Sequence, residues 1–349
     1  MMRELELSYF HDAIVNNIPL ESKTILITIP NNKRETLILL RESLSSPNAP
    51  SHLDISFKCE SGINGAYGVV CHSLRGSLTK PITIHFDNFD MKKLNHIANA
   101  IGSNLYPIGL TLDLEGNKPN QRSLEAMCNA IGRCNNPFKL ILQNNNLNQT
   151  KVINTFCKIK YPAGMIFDLS NNSIGNAAFD GLLKMIKRCG LPLSLILNYT
   201  GINGDALKSL AQAISSKSLP AGCSFDLSLN PISEKAADNL TETINNLTFM
   251  APNYIAIKLE NALLLTSPEK KHISLKNSIY NYNIKSSSFL ISLILSPESP
   301  LIYLPPEILA QIIAPIIPPF SELLEAPNDL FYQHIENMRS RQQLTHLMP

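Results

Sequence analysis

Five short phrases in this chain recur at intervals of 27 to 30 residues: LTLDLEGN from Leu110, FKLILQNN from Phe138, MIFDLSNN from Met165, LSLILNYT from Leu193 and CSFDLSLN from Cys223. No other feature restricts the fold as much. In each phrase apolar residues fall at alternate positions, as in Leu110, Leu112 and Leu114 or Met165, Phe167 and Leu169. Alternation of this kind turns one side of an extended segment inward and predicts a half-buried strand. With Leu112, Leu140, Phe167, Leu195 and Phe225 as anchors, the fifth residue onward is Asn117, Asn145, Asn172, Thr200 and Asn230. A carboxamide at that point, where the chain leaves the strand, can bond backbone groups of neighbouring turns; the Thr200 hydroxyl can do so in part.

Behind each strand phrase the period changes. Leu124, Met127, Cys128 and Ile131 stand 12, 15, 16 and 19 residues after their anchor, as do Phe179, Leu182, Leu183 and Ile186, and Leu207, Leu210, Ala211 and Ile214. That spacing is one face of a helix. A unit of strand, turn, helix and loop cannot bury its apolar face alone, so the units must stack into a parallel sheet flanked by helices, an α/β solenoid. Weaker copies extend the register: Ile25 and Ile27, then Ile55 and Phe57 with Tyr67, Val70, Cys71 and Leu74, then Ile82 and Ile84 with Leu94, Ile97 and Ile101 counted from Ile82. Past the centre, Ile255 and Ile257 fit a strand, but counting from Ile255 the helix positions fall on Ser267 and Lys270, which predicts a degenerate closing rung. Nine strands are expected.

The recurrence of Leu112, Leu114 and Asn117 with their counterparts resembles the leucine-rich-repeat family, and the repeat length resembles its ribonuclease-inhibitor-like subclass. The resemblance covers roughly residues 25–257. It implies a horseshoe with the parallel sheet on the concave side, helices on the convex side, and protein partners bound on the concave sheet. The expected organisation is an N-terminal cap over 1–24, a solenoid of about nine repeats over 25–264, a polar linker over 265–300 and a helical C-terminal region over 301–349.

Outward strand residues lie one and three positions past each anchor. The first row is Asp113, Ile141, Asp168, Ile196 and Asp226; the second is Glu115, Gln143, Ser170, Asn198 and Ser228. Acidic and aliphatic rungs therefore interleave, with equivalent residues two rungs apart separated by about 10 Å. One reading is a contact stripe, Ile141 and Ile196 as apolar anchors beside Asp113, Asp168 and Asp226, with Glu115, Gln143 and Asn198 along the second row. The other is that Ile suits strands and Asp keeps the sheet soluble. The chain has no Trp, so modest affinity per contact is expected. Carboxylates on alternate rungs are too far apart to share a calcium ion at its ~2.3–2.6 Å oxygen distances.

Thirty basic and 28 acidic residues, net +2, give no global attraction to nucleic acid or anionic membrane. The longest apolar run, Phe289 to Leu295, is too short to span a bilayer, so no membrane insertion is expected. The N-terminus has acidic residues where a secretory signal needs an apolar core. Seven Cys without a Cys-x-x-Cys pair argue against disulfide frameworks and zinc sites and for a reducing, cytoplasmic compartment. Cys128 shares its repeat position with Cys71, and Cys134 with Cys189, which favours packing over nucleophilic chemistry. His85 falls on the outward strand face and reads as a solvated surface histidine. Phosphate-binding loops, nucleophile elbows and metalloprotease helices are missing, so neither catalytic residues nor cofactors nor metals are expected. GING, at Gly62 and again at Gly201, reads as a turn that uses glycine freedom.

Near the C-terminus, Leu304-Pro305-Pro306-Glu307-Ile308-Leu309 followed by Ile312 resembles the opening of an F-box. That resemblance implies docking of Leu304, Pro305, Ile308, Leu309 and Ile312 on the Skp adaptor of a cullin-type ubiquitin ligase, with the solenoid as substrate receptor. The tail lacks the Cys and Trp that the module carries later, and Pro315 interrupts its helix, so a plain helical cap is the competing expectation. The Asn-, Ile- and Lys-rich composition with such repeats also resembles effector proteins that intracellular bacteria inject into host cells, which implies a host protein as partner.

Overall fold

The computed structural model describes residues 3–18, 24–29, 33–49, 53–59, 82–86, 94–102, 106, 109–220, 222–246 and 255–259. Ten described strands form one parallel sheet in strict sequence order: β1 (Arg3–Glu6), β2 (Thr24–Ile29), β3 (Leu53–Cys59), β4 (Ile82–His85), β5 (Thr111–Asp113), β6 (Lys139–Ile141), β7 (Ile166–Asp168), β8 (Ser194–Ile196), β9 (Cys223–Asp226) and β10 (Ile255–Lys258). Described helices are α1 (Leu7–Val15), α2 (Lys33–Ser45), α3 (Leu94–Ile101), α4 (Gln121–Ile131), α5 (Gln149–Asn154), α6 (Gly175–Cys189), α7 (Gly204–Ser215) and α8 (Glu234–Asn245). The sheet has one strand more than the nine expected, because Arg3–Glu6 pairs with β2 in register.

Register confirms the anchors of the middle rungs, Leu112 opposite Leu140, Leu140 opposite Phe167, Phe167 opposite Leu195 and Leu195 opposite Phe225. Two outer rungs differ from the count made on sequence. Ile84, not Ile82, stands opposite Leu112, and Ile257, not Ile255, opposite Phe225. Both strands carry three inward apolar residues at alternate positions, Ile82, Ile84 and Phe86 or Ile255, Ile257 and Leu259, all buried. Such a run satisfies the core in either register, so its pattern leaves a slip of two undetermined.

The inward strand residues and the helix positions form a single apolar cluster from Leu7 to Leu259. Where α5 is only six residues long, a 3₁₀ turn at Phe156–Lys158 follows it, and Phe156 and Tyr161 fill the space edge-on to Phe167, with ring centroids 5.6 and 4.9 Å away. Four helices start at one repeat position, eight past the anchor. There Asn120, Asn148, Asn203 and Ser233 accept from Ser123, Lys151, Asp205 and Ala236 amides. These caps satisfy helix amides that would otherwise lack partners.

The Asn residues five past each anchor form a ladder under the sheet edge. Asn172 donates to Leu142, Leu169 and Ser170 carbonyls (2.9, 2.8 and 3.0 Å) and accepts from the Asn145 and Leu147 amides (3.1 and 2.9 Å). Asn230 repeats the pattern, donating to Leu197, Leu227 and Ser228 carbonyls and accepting from the Thr200 and Ile202 amides. Thr200 interrupts it. Its hydroxyl donates to Leu197 within its own rung (2.7 Å), and its main-chain carbonyl, not a side chain, accepts from the Ile174 and Gly175 amides (3.1 and 3.0 Å). Gly175 stands where the other rungs have their capping Asn or Ser, so the two departures from the repeat meet and compensate each other.

Candidate interaction face

Because side chains alternate along a strand, burying the anchors turns the residues beside them outward. Ile141, Asp168, Ile196 and Asp226 follow one another across β6 to β9, continuing from His85 on β4 and Asp113 on β5. Ile141, Ile166 and Ile196 are part-exposed and lie outside the apolar core. The second row, Glu115, Gln143, Ser170, Asn198 and Ser228, follows where the strands end. Glu115 is exposed and accepts from the Asn144 side chain (2.9 Å), Gln143 is part-exposed, and Ser170 and Ser228 are buried.

Each of the three aspartates uses one oxygen to close the turn after its strand. Asp113, Asp168 and Asp226 Oδ1 accept from the amides of Glu115, Ser170 and Ser228 at 2.9, 3.1 and 3.1 Å. The second oxygens differ. Asp113 Oδ2 meets His85 Nδ1 at 2.8 Å. Asp226 Oδ2 accepts from Asn198 Nδ2 at 3.4 Å and lies 3.8 Å from Lys258 Nζ. Asp168 Oδ2 has no partner among the described residues, and Asn198 Oδ1 is buried without one.

His85 faces outward as expected but is not freely solvated. Its Nε2 is bonded to Asp54 on β3 while Nδ1 is bonded to Asp113 on β5, so one ring ties three consecutive strands. The hydrogen bond with Asp113, working against burial and aided by Asp54, raises its pKa to about 9. Burial pushes the Asp113 carboxyl up, but the His85 and Glu115 hydrogen bonds outweigh it and hold the carboxyl below its ordinary range. An imidazolium with both nitrogens engaged has no lone pair to take a proton at neutral pH.

Burial drives the cysteine thiols the same way: Cys128 is pushed up to about 12, and Cys157 and Cys223 to about 11. Thiols held so far above their ordinary value stay protonated at neutral pH. Among the described residues no three His, Cys, Asp or Glu side chains converge as a metal site, and no helix is long and apolar enough to cross a membrane.

One surface residue escaped the reading of the sequence. Tyr199, just past the end of β8, is 52% exposed and holds a left-handed backbone, φ 54°. It borders a shallow depression with Asn171, Ser173, Gly175 and Gly201. A β-carbon is strained in that conformation, so an exposed aromatic there draws attention to the rim of the face. The signal lay in the repeat itself: three of the four equivalent positions, Gly116, Asn144 and Asn171, are residues suited to a left-handed turn, the fourth being Leu229. The residues of the F-box-like phrase, Leu304, Pro305, Ile308, Leu309 and Ile312, lie outside the described residues, as do Tyr67, Val70, Cys71, Gly62, Ser267 and Lys270.

The chain matches no protein-family model and no curated protein.

Proposed function

We propose that this chain is a leucine-rich-repeat horseshoe acting as a non-enzymatic protein-interaction scaffold, with the partner bound on the outward, concave face of its sheet. The observation that carries the reading is the row across β6 to β8, where part-exposed Ile141 and Ile196 flank an incompletely bonded Asp168. Aliphatic side chains excluded from the core and edged by charge are the usual make-up of a protein-binding surface. Ten strands ~4.8 Å apart make a face ~43 Å across, long enough for a folded partner to lie along it. Tyr199 at the rim adds the aromatic contact that the strands themselves lack.

Ile141→Arg combined with Ile196→Arg tests the reading. Both side chains point away from the core, so circular dichroism and urea melts should stay as in the unmodified chain. Crosslinking and affinity capture from host-cell lysate should lose the proteins the unmodified chain retains. Retention of the same proteins by the double variant would remove the proposal.

A further inference from the structure

Within the partner-binding reading, on which this inference rests, we infer that the surface around Asp168 is a lysine subsite. A lysine of the partner protein lays its methylene stem among Ile141, Ile166 and Ile196 and sets its ammonium on Asp168 Oδ2.

Register puts Asp168 directly between Ile141 on β6 and Ile196 on β8. Ile166 precedes it by two on the same strand, and so on the same face. Above it sits Ser170, buried, whose amide occupies Oδ1 at 3.1 Å. The carboxylate thus has isoleucines at the two lateral positions and one along its own strand, and it keeps one oxygen without a donor among the described residues. Its counterparts do not: Asp113 is bonded to His85, and Asp226 to Asn198 with Lys258 close by. Lys258 faces Asp226, whereas Lys139, diagonal to both Asp113 and Asp168, forms no ion pair with either.

The chemistry of the occupant follows. Among described side chains the outward face carries Asp54, Asp113, Glu115, Asp168 and Asp226 against His85, Lys139 and Lys258, an acidic balance that favours a basic partner and disfavours nucleic acid. A bare divalent ion would need six or more oxygens and finds one. A guanidinium fork matches two open carboxylate oxygens, whereas an ammonium is a point charge that one oxygen serves. The lysine stem is apolar and gains from lying along isoleucine.

A display library of random peptides selected on the full chain tests this. Selected peptides should share one lysine with aliphatic neighbours. Replacing that lysine by norleucine should weaken binding to the unmodified chain about tenfold or more. The same replacement should change little on Asp168→Asn, because the charge it addresses is already gone. Peptides with no fixed lysine, with arginine there as often as lysine, or with equal affinity for Asp168→Asn overturn the inference. If such peptides still fail to bind Ile141→Arg/Ile196→Arg, the partner-binding face stands and the lysine subsite alone falls. If they bind that variant too, or if no peptide is selected, both fall.

Discussion

His85 joins three strands through one ring, and its protonation state is therefore tied to the stability of the sheet. Its pKa rises from 6.5 to about 9 on folding, so the stabilisation it provides is fully present below pH 6.5 and is lost as pH climbs through about 9. Asp113 is shifted the other way from 3.8, so its contribution is present above that value and is lost as pH falls through its lower folded value. The pair is at full strength between those limits. We expect His85→Gln to lose about 2 kcal/mol near pH 6 and almost nothing near pH 10, measured by urea titration across that range. A difference that stays constant with pH would contradict the assignment. None of this was legible in sequence. The outward placement of His85 followed from alternation, but its partners sit 28 and 31 residues away on two different rungs, Asp54 in a row offset by two from Asp113. Their meeting depends on the lateral register of β3, β4 and β5, and β4 was one of the two strands whose register the apolar pattern left open.

At the scale of one turn, each middle rung passes through a left-handed residue four past its anchor: Gly116 (φ 71°), Asn144 (56°), Asn171 (54°), Tyr199 (54°) and Leu229 (60°). The reversal there is followed directly by the ladder Asn, turned under the sheet edge. Gly and Asn adopt this conformation with little strain, whereas Tyr and Leu lose about 1 kcal/mol or more. Tyr199→Asn should therefore stabilise the chain by about 1 kcal/mol, since half of the Tyr199 side chain is in solvent and little packing is lost. The same substitution should weaken partner capture if Tyr199 belongs to the face. Calorimetry and affinity capture on the one variant read both effects, and a destabilised Tyr199→Asn would show that the ring packs more than its exposure suggests. Alternation and the ladder were visible in sequence because they recur with one residue type. The left-handed position was masked by the two rungs that break its type.

Across the molecule, the described units stack in sequence order, and each strand bonds only the strands before and after it. Stability in such an array is a sum of unit and neighbour terms, so damage should stay local. Asn172 serves two rungs at once, with three donated and two accepted hydrogen bonds in a buried site. Asn172→Ala strands several backbone groups away from water and should cost about 3 kcal/mol or more. Hydrogen exchange should accelerate in β6, β7 and β8 and leave β2 and β3 as protected as before. Uniform loss of protection would mean that the solenoid unfolds as one unit.

Sequence alone determined the unit, its length, its inward residues and the parallel stacking, because a repeated pattern leaves each unit one side to bury, although not always one register in which to bury it. It also determined which residues point outward, since that follows from period two once the inward set is known. Tertiary structure decided what those outward residues do. Lateral bonding depends on side chains from three rungs, and it engaged Asp113 with His85 and Asp226 with Asn198 while leaving one oxygen of Asp168 open among three isoleucines. In sequence the three aspartates read alike; their neighbours across the sheet made them different.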